Sequence, residues 1–65
     1  MRTWSPRQMQ ILEMAAEGVM MDGMAGRLGI SPRTVENHCI QVRRYLGAKN
    51  MTHAVAIAFR MGILS

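Results

Sequence analysis

The pair Ser-Pro occurs twice, at residues 5–6 and 31–32, and each opens a run that closes at a glycine, Gly18 or Gly47. A serine hydroxyl can accept from the free backbone N–H groups at a helix start, and proline fits the first helical position. Glycine closes a helix because it enters the left-handed conformation at little steric cost. These signals predict helices over about 6–17 and 32–46. In the first, Gln8 stands three residues after Ser5, which makes a capping box, and Trp4 and Met9 have the spacing of a hydrophobic staple. A shorter helix is expected over 21–28, stopped by Gly29, with Asp22 its only candidate cap and Gly23 and Gly26 weakening it. A fourth is expected over 51–61, capped by Asn50 and ended by Gly62. No segment alternates with a two-residue period, so the expected class is all-α.

Residues 1–65 have the size of one domain, and a chain this short buries only about 60% of its unfolded surface. Cys39 is the only cysteine, which rules out an intrachain disulfide and fits a reducing, cytoplasmic setting. His38, Cys39 and His53 lack zinc-ligand spacing, so neither a metal nor a cofactor is expected. A second subunit is the remaining source of added stability. The net charge of +4, from eight Lys+Arg and four Asp+Glu, favours an anionic partner. No apolar run approaches the roughly 20 residues of a membrane helix, and the N-terminus lacks a signal-peptide core, so no membrane partner is expected.

At 100° per residue, Val35, Cys39, Val42 and Leu46 share a narrow arc of the third helix, and that arc is the predicted core side. Ile11, Leu12, Ala15 and Ala16 are the corresponding stripe of the first helix. Opposite the third helix's core arc lie Arg33, Asn37 and Arg44, flanked by Glu36 and Ile40 on one side and Gln41 on the other. A short helix, the turn Gly29-Ile30-Ser31 and a longer helix with a polar outer face form a helix-turn-helix pattern. Arg, Asn and Gln can each make paired hydrogen bonds to base edges, Glu can accept from cytosine, and Ile can touch a thymine methyl. The candidate base contacts are therefore Arg33, Glu36, Asn37, Ile40 and Gln41. Ser31, Thr34 and the free N–H groups of the helix start suit a phosphate, and Arg43, Arg44 and Lys49 are placed to follow the backbone. A mixed polar face is also what any solvated helix shows, so composition alone does not decide the matter.

In the fourth helix Ala54, Ile57, Ala58 and Met61 form one apolar face, and Val55 and Phe59 form a second. The second face, with Thr52, reads as a subunit interface; the alternative is that Phe59 folds over a domain edge. Met9, Met14, Met20, Met21, Met24, Met51 and Met61 are expected to fill irregular gaps in the core, with Met20 and Met21 alternatively a protein-contact patch. Nothing resembles an enzyme's machinery: there is no paired acid, no nucleophile beside a base and no glycine-rich phosphate loop.

The segments SPRQMQILEMAAEG, MAGRLGISPRTVENH and YLGAKNMTHAVAIAFRMGIL, in this order and spacing, resemble the DNA-binding domain of the LuxR family of bacterial transcription regulators. The resemblance covers about residues 4 to 64. It implies a four-helix domain in which helix 3 reads the major groove, helix 2 crosses above it and helix 4 pairs two subunits. Glu36, Asn37 and Ile40 then match positions that contact bases, and Ser31, Thr34 and Arg44 match positions that contact the DNA backbone. His38 matches a position common in the family, with a packing or phosphate role. The chain departs from the family at "MMDG", where Asp22 replaces a basic residue, and at Gln8, Tyr45 and Met51, which stand for a usual Glu, Lys and Arg. The functional expectation is sequence-specific binding of double-stranded DNA by a homodimer that regulates transcription. The transcription machinery or a full-length related regulator are further candidate partners. The alternative is a protein-interaction module of the same fold that dimerises with or inhibits a related regulator without reading DNA.

Overall fold

The computed structural model describes residues 5–65, so the expected Trp4–Met9 staple lies outside the described residues. Four helices and no strand are present among them: α1 (Pro6–Ala16), α2 (Met21–Leu28), α3 (Pro32–Leu46) and α4 (Met51–Arg60). The two Ser-Pro starts form as the local chemistry dictates. Ser5 Oγ accepts from the Gln8 N–H at 3.1 Å, and Ser31 Oγ accepts from the Thr34 N–H at 3.1 Å. Asn50 Oδ1 caps α4 by accepting from the His53 N–H at 2.8 Å. α2 has no such support: its N-cap is Met20, which makes no side-chain hydrogen bond, and Asp22 lies inside the first turn. The expectation of an Asp22 cap is therefore incorrect, because the helix starts two residues too early for it. α1 and α4 each end one residue sooner than expected, with Glu17 and Met61 as C-caps.

Between α2 and α3 the chain reverses at Gly29, whose φ of 67° lies in the left-handed region that side chains rarely adopt. The Gly29 and Ile30 N–H groups both donate to the Ala25 carbonyl, which satisfies an end that would otherwise be open. Gly47, at φ 68°, ends α3 by the same geometry.

The core has two lobes that meet along α1 and α3. Ile11, Met24, Ala25, Val35 and Cys39 form one; Leu12, Val42, Ala54, Ala58 and Leu64 form the other. Adjacent residues on a helix point about 100° apart, so Ile11 and Leu12 serve different lobes. α3 packs against each of the other three helices, and Val35, Cys39 and Val42 are each at most 1% exposed.

Several packing expectations are corrected. Ala16 is exposed, because the end of α1 opens onto a groove lined by Glu13, Glu17, Phe59, Ile63 and Leu64 that one methyl group cannot fill. Ala15 and Leu46 are half-buried at the core's margins. Met61 is exposed because it caps α4 after the last helical turn. Met20, the extended cap of α2, and Met21, its first residue, are also exposed, at 78% and 45%; among the described methionines Met24 alone is buried. The chain after α4 turns back, its Ile63 and Leu64 N–H groups donating to the Ala58 carbonyl, and Leu64 closes the second lobe.

Val42→Ala removes two buried methyl groups from the second lobe and should lower unfolding free energy by about 2 kcal/mol in urea denaturation. Ala16→Ser, at a position that sequence spacing alone would place inside, should change it by no more than about 0.5 kcal/mol.

Candidate nucleic-acid interface

With its apolar stripe held inside, α3 turns Arg33, Glu36, Asn37, Gln41 and Arg44 to the exposed surface. Arg33, Asn37 and Arg44 fall within about 40° of arc, centred opposite Val42 and Leu46. Ile40 flanks this arc and is half-buried. It shares an open groove with Met21, Asp22, Pro32, Arg33, Glu36 and Asn37, so part of its surface is shielded by the start of α2. The same groove places Asp22, an acidic residue of α2, beside the outer face of α3.

At the N-terminus of α3, Ser31 Oγ and Thr34 Oγ1 lie 2.9 Å apart and share a hydrogen bond. That contact uses one of their two hydroxyl protons and leaves the other free to donate outward. Pro32 has no N–H, and those of Thr34 and Val35 go to Ser31 Oγ and the Ser31 carbonyl, so of the first turn only the Arg33 N–H joins this hydroxyl and the positive end of the helix dipole in an anion-accepting corner.

Of the remaining expected backbone contacts, Arg44 lies in the outer arc itself, and His38, Arg43 and Lys49 lie away from it. Arg44 and Lys49 are exposed, and Arg43 and His38 are half-buried. His38 Nδ1 and Arg43 Nε are enclosed and have no hydrogen-bond partner. The Lys49 backbone N–H donates to His53 Nδ1 at 3.0 Å, so the α3–α4 turn that carries Lys49 is tied to the start of α4. Burial pushes the Cys39 thiol above its ordinary range, with Arg43 pulling it down and Glu36 adding to the rise. It is therefore a neutral packing group at pH 7 and not a nucleophile.

One contact was invisible to sequence reasoning. Gln8 Nε2 donates to Gln41 Oε1 at 2.7 Å, which ties α1 to the outer face of α3. The residues are 33 apart in the chain, and neither spacing nor residue type announces the pairing. Gln41 is thus exposed but has its carbonyl engaged, in contrast with Asn37. On α4, Thr52 and Phe59 are exposed, Phe59 at 48%. Val55 is half-buried and packs on the second core lobe, so the division of α4 into two separate apolar faces is only partly correct.

Among the described residues no group of three or more His, Cys, Asp or Glu side chains is placed to hold a metal ion. No helix among them is long and apolar enough to cross a membrane.

Residues 2–58 match the family described as bacterial regulatory proteins, luxR family. The chain is 38% identical over 61 residues to the transcriptional activator protein BjaR1 of Bradyrhizobium diazoefficiens, covering 94% of this chain and 25% of that protein. It is 37% identical over 62 residues to the transcriptional regulatory protein FixJ of Rhizobium meliloti, covering 95% of this chain and 30% of that protein. The chain therefore spans between a quarter and a third of the length of these relatives. Among solved structures, the transcription factor GerE superposes with a TM-score of 0.89 at 26% identity, covering 98% of this chain and 97% of that one. The response regulator ChrA of a heme-sensing two-component system superposes with a TM-score of 0.93 at 28% identity, covering 98% of this chain and 32% of that one. The family consists of transcription regulators and not enzymes. The chain belongs to the luxR family of bacterial regulatory proteins, as its helix-turn-helix DNA-binding domain.

Proposed function

We propose that the chain binds double-stranded DNA sequence-specifically as a symmetric dimer in the bacterial cytoplasm, with α3 in the major groove, and so regulates transcription. The observation that carries this reading is the polar arc of α3, exposed along its length and opposite a fully buried stripe. Arg33, Glu36 and Asn37 then meet base edges, Gln41 lies beside them, and Ile40 offers apolar surface for a thymine methyl. The free hydroxyl proton of the Ser31–Thr34 pair, with His38, Arg43, Arg44 and Lys49, holds phosphates and sets the register. On α4, Thr52, Val55 and Phe59 follow i, i+3, i+7 spacing, and an aromatic side chain half open to water gives a second copy something to cover.

Asp22 favours the second reading, a module of this fold that pairs with a related regulator and leaves DNA unread. Asp22 lines the groove that Arg33 and Asn37 also line, and a negative charge there repels phosphate. Against that stand Arg33, Arg44 and Lys49, all exposed.

Selection from random duplexes separates the two: an enriched two-fold motif is expected, and no enrichment at low salt would leave the second reading standing. In the same assay Asn37→Ala should relax base preference at one position per half-site, at a cost of about 1–3 kcal/mol for the preferred sequence. Arg44→Ala should weaken all sequences alike and lower the salt slope by about one.

Asp22→Lys should raise affinity for every duplex, by roughly an order of magnitude at low salt, and steepen the salt dependence. Unchanged or reduced binding in a salt titration would remove Asp22 from the DNA-facing surface.

A further inference from the structure

We infer that Gln8, on α1, is a positioning residue for recognition: it fixes the Gln41 side chain so that α3 offers an NH2 donor beside Asn37. This rests on the DNA-binding reading above. The two ends of a glutamine amide are chemically opposite, one accepting and one donating, and an exposed glutamine ordinarily turns either outward. Here a chain of hydrogen bonds sets the direction. It starts at the Ser5 backbone N–H, which can only donate. Gln8 therefore receives that bond with Oε1, at 3.4 Å, as the second half of the capping box. Its Nε2 is then the end directed at α3, and it donates to Gln41 Oε1 at 2.7 Å. Gln41 is left with its NH2 as the outward group, on the exposed side of α3 and one turn from Asn37.

The consequence is a chemical preference. An NH2 donor pairs with phosphate oxygens, guanine O6 or N7, adenine N7, or thymine O4; it does not pair with the amino groups of adenine or cytosine. Gln8 touches no DNA in this account. It acts through Gln41 by excluding the reversed orientation, which would set the Gln8 NH2 against the Ser5 N–H, donor to donor.

Gln8→Glu tests this with little risk to the fold, because Glu serves a capping box as well as Gln does. The introduced carboxylate has no proton to donate, so Gln41 must reverse, with its NH2 inward and its carbonyl outward. In NMR spectra of the free protein, one Gln41 side-chain NH2 proton should acquire the shift and slowed exchange of a hydrogen-bonded donor. Unchanged Gln41 NH2 signals would overturn the inference whether or not the protein binds DNA. With DNA, two outcomes support it and tell the source of the acceptor. If Gln41 meets guanine or thymine, whose major-groove edges offer only acceptors, the preferred base at that position of each half-site changes to adenine or cytosine, which carry an amine. If Gln41 meets a phosphate, affinity falls by roughly tenfold on all sequences. In a Gln41→Ala background, Gln8→Glu should do neither, which separates reorientation from the added negative charge. An equal effect of Gln8→Glu in both backgrounds would also overturn it. Wild-type protein that selects no sequence, with the NMR change present, would instead count against the DNA-binding reading alone.

Discussion

A helix can present a polar face with a fixed orientation only when its other side cannot turn, and in this domain Val35, Cys39 and Val42 prevent it from turning. The three side chains are closed to solvent and belong to both lobes of the core, so α1, α2 and α4 all grip the same stripe. Rotating α3 by one residue, about 100°, would push Glu36 or Arg43 toward that interior, and burying an unpaired charge costs several kcal/mol. The arrangement of Arg33, Asn37 and Arg44 on the surface is thus a consequence of packing underneath. α2 is the dependent element. Its cap makes no side-chain bond and two of its eight residues are glycine, so its helicity comes from seating Met24 and Ala25 on α3.

Much of this was legible in the chain because the information is local. Ser5, Ser31 and Asn50 are caps whose bonds reach only three residues ahead, and Gly29 and Gly47 stop helices through their own backbone freedom. The inner stripe of α3 follows from helical periodicity, and so does the identity of the arc left facing outward. What the sequence could not convey depends on where helices end against one another. Ala16 has the spacing of a core residue but faces a gap at the end of α1, and Met61 lies just past the last turn of α4. Leu64 fills the second lobe from a segment that follows its helix. The Gln8–Gln41 bridge joins residues 33 apart, and it emerges only once α1 and α3 are packed.

The outer surface carries a balance of attraction and restraint. The chain has a net charge of +4, and its basic groups on α3 and the following turn suit a polyanion. Asp22 works against them from the edge of the groove, and the Ser31–Thr34 hydroxyl pair has only one proton to spare. In the proposed reading, recognition relies less on a large electrostatic surplus and more on how well Asn37 and its neighbours match their base edges. The second subunit of the proposed dimer follows the same logic, because doubling the contacts raises avidity without new contacts per domain.

The most direct test of this account is an amide-resolved NMR titration of the domain with a selected duplex. It predicts that the largest shifts fall on the start and outer arc of α3, at Ser31, Arg33, Asn37, Ile40 and Arg44, with Ile11 and Ala54 nearly still. Large shifts confined to α4 or to the α1–α2 connection, with the outer arc of α3 unmoved, would contradict it.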